Sequence, residues 1–214
     1  MEHILQRIPP ELRWQVLTSL LLTTLVLGWG FQLGKSPMSP PELVGLELAR
    51  TPGRAKRIVE EWTRRRLIRS ALIGVGLDYL FLLAYSNAMA CGCAWYAAEF
   101  TGGFALTGMT LALSQWIAAL CDMTENFYLL QMLLSGEGKG AKTCTTASLL
   151  KWVFVLAGLA YIDLAMLRRC LTLLPQHPIW GALTVIGCVG IATLILWLTK
   201  TILAAWRMPA KGGT

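Results

Sequence analysis

The chain has 214 residues, 55% of them hydrophobic and 14% charged, with a formal net charge of +7 and a mean hydropathy of +0.55. Soluble domains carry roughly 25% charged residues, so this composition excludes a separate soluble domain and describes residues 1–214 as one transmembrane unit. The positive balance would suggest nucleic acid in a soluble chain; here it points to the anionic lipid of a cytoplasmic leaflet.

Apolar runs long enough to cross a bilayer, ~20 residues at 1.5 Å each, occur five times. The first covers residues 14–34. Arg7 and Arg13 precede it as in a secretory signal, but it lacks a small-x-small cleavage site and reads as a retained span. A basic loop, residues 35–69, follows. Pro40, Pro41 and Glu42 mark a helix start, because proline suits the first turn and an acid suits the helix dipole. After Pro52-Gly53, Ala55, Ile58, Val59 and Trp62 recur at helical spacing, and most basic residues fall on other faces. This predicts an amphipathic helix over 54–69 lying in the membrane interface. Arg54, Lys56, Arg57, Arg64, Arg65, Arg66 and Arg69 would then face anionic headgroups.

Spans two and three, residues 70–98 and 104–134, are joined by a very short loop and form an antiparallel hairpin. Spans four and five cover 147–167 and 180–206. The expected fold is all-α: a five-span helical bundle plus the interfacial helix. In this arrangement fifteen of the 19 basic residues lie on one side, and only Arg7, Arg13, Arg168 and Arg169 lie on the other. The positive-inside rule then puts the basic loop and the C-terminus in the cytoplasm and the N-terminus outside, in a bacterial inner membrane. Gly74, Gly76, Gly187 and Gly190, with Ala90 and Ala94, offer small surfaces for close helix packing. Cysteines 91, 93, 121 and 188 lie in apolar runs and read as small hydrophobes.

Acids inside spans are costly and mark candidate sites. Counted from the hairpin tip at 1.5 Å per residue, Asp78, Asp122 and Glu125 fall within ~5 Å of one depth. Lys151 reaches a similar depth from span four. Tyr85 shares a stripe with Asp78, and Gln115 and Asn126 share one with Asp122. The candidate polar layer is therefore Asp78, Tyr85, Gln115, Asp122, Glu125, Asn126 and Lys151. Lys200, near the inner end of span five, could reach the same depth or the headgroups, and three acids against one or two bases leave negative charge to be met by a proton or a cationic ligand. Asp163, near the outer end, is expected at the interface close to Arg168 and Arg169.

The histidines, His3 and His177, lie outside the spans, so no intramembrane haem or copper ligand is available. No GxSxG, HExxH or nucleotide-binding loop occurs. No cofactor, no metal and no catalytic residue is expected. Leu77-Asp78-Tyr79-Leu80-Phe81 with Tyr85, and Ala118-Ala119-Leu120-Cys121-Asp122-Met123-Thr124-Glu125-Asn126, resemble a pattern in uncharacterised bacterial multi-span membrane proteins. That resemblance covers spans two and three and implies no activity. The first functional reading is a small membrane protein binding a lipophilic or cationic ligand at the polar layer. The second is an accessory subunit of a larger membrane complex, with other membrane subunits as partners. The third, an intramembrane lipid-modifying enzyme, is disfavoured by the missing nucleophile and histidine.

Overall fold

The computed structural model describes Ser19, Thr23 and residues 40–173 and 178–207. The expected first span, residues 14–34, lies outside the described residues except for Ser19 and Thr23. Six helices fill the two long stretches: α1 (Pro40–Glu47), α2 (Pro52–Arg64), α3 (Ile68–Ala98), α4 (Gly102–Ser135), α5 (Ala141–Leu173) and α6 (Pro178–Arg207). No strand occurs among the described residues.

The four later helices are each long and apolar enough to cross a membrane. Their surface supports that reading. Leu106, Leu134 and Leu171 point outward at 68–70% exposure, whereas Gln115, Asp122, Glu125 and Asn126 are at most 2% exposed. An apolar exterior around a polar interior is favourable only where the solvent is hydrocarbon. At 1.5 Å per residue these helices run ~45 Å or more, beyond a ~30 Å hydrocarbon core. Their polar ends therefore project past it, and hydropathy under-reads them. Helix α5 begins six residues before the expected span because the Lys142–Thr146 turn is helical without being apolar.

Consecutive long helices pack side by side, and α3 also touches α5. Glycines set the closest approaches. A Cβ at Gly108 would stand 2.2 Å from the Tyr161 hydroxyl and 2.8 Å from Ala97 Cβ, so α3, α4 and α5 converge there. Among the described residues, Gly74, Gly76 and Gly190, expected to serve this role, have nothing within 4 Å of a built Cβ; of those four glycines Gly187 meets a neighbour, Met166. Sequence marks a small residue but not the side of the helix its neighbour occupies.

Helices α1 and α2 close the basic end. Thr51 caps α2 by accepting a hydrogen bond from the Arg54 amide at 3.3 Å, with Pro52 in the first turn. The helix stops at a Schellman turn in which Leu67 N donates to Trp62 O at 2.8 Å and Arg66 N to Thr63 O at 3.0 Å. Arg66 occupies the left-handed position usually held by glycine, with φ 56°. No glycine advertises this stop, so the sequence reading carried the helix on to residue 69. Ala55, Val59 and Trp62 pack onto Ala71, Leu129, Met132, Leu133 and Cys144. The apolar stripe expected to meet lipid is thus covered by protein. Burying Val59 in this way contributes about 1.5–3 kcal/mol. The C-terminal end of α6 is tied to the same cap: Arg54 donates to Ala205 O at 3.1 Å, and Arg50 stacks 3.0 Å over the Trp206 ring.

Candidate functional site

The polar layer expected from helix register forms, with one member displaced and one added. Lys151 Nζ, on α5, donates to Asp122 Oδ1 at 3.1 Å and to Glu125 Oε1 at 2.9 Å, both on α4. Asp122 Oδ2 accepts from the Tyr85 hydroxyl of α3 at 2.9 Å. Asp78 Oδ2 accepts from Asn126 Nδ2 at 2.7 Å. The hairpin is thereby stitched at two points, and α5 is drawn in by the ammonium. Glu125 and Asn126 follow Asp122 at i+3 and i+4, which places all three on one face of α4.

Gln115 stands apart from this layer. It lies two helical turns from Asp122, and its amide donates to Phe154 O at 3.0 Å and Leu111 O at 3.2 Å. The missing side chain of Gly158 makes its berth, since a Cβ there would lie 2.6 Å from Gln115 Nε2. Gln115 therefore clamps α4 to α5 rather than joining the acids.

The added member is Glu47, the last residue of α1. Ser148 donates to its Oε2 at 3.4 Å, and its carboxyl lies within hydrogen-bond reach of that of Glu125, with Lys151 and Asp122 nearby. Removal from water pushes the Glu47 carboxyl above the ordinary glutamate range; Lys151 pulls the other way and Asp122 reinforces the rise. Its neighbour contacts hold α1 in place: Thr145 donates to Glu47 O at 2.9 Å and accepts from the Arg50 amide at 3.0 Å. A signal for Glu47 existed, because Leu43, Leu46 and Glu47 share a helix face at i, i+3 and i+4. Asp163 differs from expectation: its Oδ1 is buried without a hydrogen-bond partner, while Arg169 pairs with Glu99 and Arg168 stacks on Phe100 and Phe104.

A cavity of about 600 Å³ opens beside this layer. Among the described residues, Asp78, Phe81, Tyr85 and Met89 of α3 form one wall, and Asp122, Asn126 and Leu129 of α4 form the floor. Lys151, Trp152, Val155 and Leu159 of α5 continue the lining to Leu194, Trp197 and Leu198 of α6, and Leu43, Leu46, Glu47 and Trp62 close the basic end. From Ala71 to Met89 the lining follows α3 for ~27 Å of helix. Its polar groups sit together, with apolar wall above and below them. No protein-family model, no curated protein and no solved structure matches the chain. A volume in the range of small-molecule pockets, roughly 300–1,000 Å³, with apolar walls and a few convergent polar groups, suits a molecule with a hydrocarbon body and one polar end.

The basic residues divide into two groups. Arg54 is engaged with the end of α6, Arg64 with Glu61, and Arg65 with Glu42 at 2.7 Å. Lys56, Arg57, Arg66 and Arg69 are exposed, Lys56 only 3.9 Å from Glu60. Arg64 and Arg65 are exposed as well but are paired with their acidic partners, so the outward cationic surface is carried chiefly by Arg57, Arg66 and Arg69.

Proposed function

We propose that this small integral membrane protein holds a lipophilic ligand inside its helical bundle, the hydrocarbon part along the apolar walls and the polar end at the Asp78–Asp122–Lys151 layer. The cavity carries the reading: it lies inside the apolar helices, and its polar groups converge at one depth. The exposed cations of α2 and the start of α3 rest against the anionic headgroups of the cytoplasmic leaflet of a bacterial inner membrane. The C-terminus lies on that same side.

Native mass spectrometry of the protein released from a maltoside micelle with added dodecanol tests the site. The wild type retains the alcohol. Gly74 lines the cavity and has no atom of the described residues within 4 Å of a built Cβ, so Gly74→Phe fills it without a collision with their backbone. That variant loses the adduct while keeping its helical circular dichroism and its melting temperature. Equal retention by both proteins overturns the reading. For orientation, native Cys144 is unsuitable because it is buried at 0% exposure. Exposed Ser135 of the α4–α5 turn, changed to cysteine, is protected from an impermeant maleimide added outside cells; labelling from outside reverses the topology.

A further inference from the structure

We propose that the ligand of this cavity is a lipophilic monocation and that Asp78 is its counter-ion. The inference rests on the cavity reading above and specifies the headgroup. Among the described residues, four carboxyl groups, those of Glu47, Asp78, Asp122 and Glu125, meet in one layer with one ammonium, Lys151. That ammonium is held by Asp122 and Glu125, at 3.1 and 2.9 Å. Glu47 has Ser148 and lies against Glu125. Asp78 has one hydrogen bond, from the neutral amide of Asn126, and no cation within ion-pair distance among the described residues. It is half-buried and lines the cavity.

A second observation points the same way. Glu125 and Glu47 lie against each other, and Asp122 and Glu125 share Lys151, so the pairing inside the layer leaves Asp78 as the carboxyl on the cavity wall without a cation among the described residues. An uncompensated carboxylate in an apolar interior is costly, and a cation that enters with its own apolar body removes that cost. Charge complementarity also excludes the opposite sign: a fatty acid would bring a further carboxylate to the layer.

Three probes with one hydrocarbon chain separate the headgroups: dodecylammonium, dodecanol and dodecanoate, titrated at neutral pH into the protein in an uncharged maltoside micelle. Wild type binds dodecylammonium about tenfold or more tightly than dodecanol, the scale of one charge-assisted hydrogen bond in a dry site, and dodecanoate most weakly. Asp78→Asn keeps the shape and the Asn126 contact, and it abolishes the preference for the amine over the alcohol. Asp78→Glu keeps the charge and retains the preference. The proposal fails if wild type does not favour the amine, or if Asp78→Asn still does. Loss of dodecanol binding from the wild type would instead remove the cavity reading on which the proposal stands.

Discussion

Lys151 is the one cation of the polar layer among the described residues, and its removal gives the sharpest test of how the bundle is held. In Lys151→Met the chain keeps its length and apolar stem, but Asp122 Oδ1 and Glu125 Oε1 lose donors at 3.1 and 2.9 Å. Asp122 retains the Tyr85 hydroxyl, whereas Glu125 is left against the carboxyl of Glu47 with no cation beside it among the described residues. Breaking a buried pair by deleting one partner costs about 3–5 kcal/mol, mostly through the charge left behind. For a domain of this size each kcal/mol moves the melting temperature by roughly 2–4 °C, so a fall of about 6–20 °C is expected. Thermal unfolding in detergent, followed by circular dichroism and by size-exclusion profile after heating, reads it. The cause is isolated by Asp122→Asn with Glu125→Gln in the Lys151→Met background, which removes the surplus charge and recovers most of the loss. A melting temperature within about 2 °C of wild type for Lys151→Met, which corresponds to under ~1 kcal/mol, refutes the reasoning. So does a triple variant no more stable than the single one.

Gly108→Ala places a methyl group against Tyr161 and Ala97, and overpacking at such a crossing costs about 1–3 kcal/mol. Gly76→Ala meets nothing within 4 Å and should leave the same melting curve unchanged or slightly improved; equal behaviour of the two would contradict the helix packing. Glu47 supplies a pH dependence. Because burial raises its affinity for a proton, the docked state of α1 favours the neutral carboxyl. The docking contribution is complete below the ordinary glutamate range of about 4.3 and is lost as pH rises through the elevated value. Hydrogen exchange in residues 40–47, corrected for intrinsic rate, should therefore speed up relative to α4 as pH increases, and Glu47→Gln should flatten the trend. A trend of the same slope in that variant would assign it to another group.

The polar layer was legible in the sequence because a short hairpin converts residue counting directly into depth. Asp78, Asp122, Glu125 and Asn126 needed only the 1.5 Å rise and a tip near residue 101. Lys151 followed from the span edge in the same way. Gln115 was misplaced because a shared stripe along one helix does not mean a shared partner two turns away; the backbone of α5 at Phe154 is nearer than any acid. Glu47 escaped because it sits in a short helix outside any apolar run, where an acid carries no penalty to draw notice. Helix α2 was recognised as amphipathic, yet its pattern does not say whether lipid or protein covers the stripe. Only the later helices decide that, and Leu129, Met132 and Cys144 do so here. The cavity could not be read at all, since it arises where helices fail to meet.

The seat of α2 has a consequence for the order in which the protein matures. Ala71, Leu133 and Cys144, on which Ala55, Val59 and Trp62 rest, come from α3, α4 and α5, all of which follow α2 in the chain. The Pro52 carbonyl lies against Gly138 in the α4–α5 turn, so close that any side chain there would collide with it. During synthesis the amphipathic segment therefore leaves the ribosome with its hydrophobic stripe uncovered and no docking place in existence. It must shelter that stripe elsewhere, on the membrane surface its arginines favour, until three more helices have been inserted. The cap that encloses the polar layer is among the first parts made and among the last to settle.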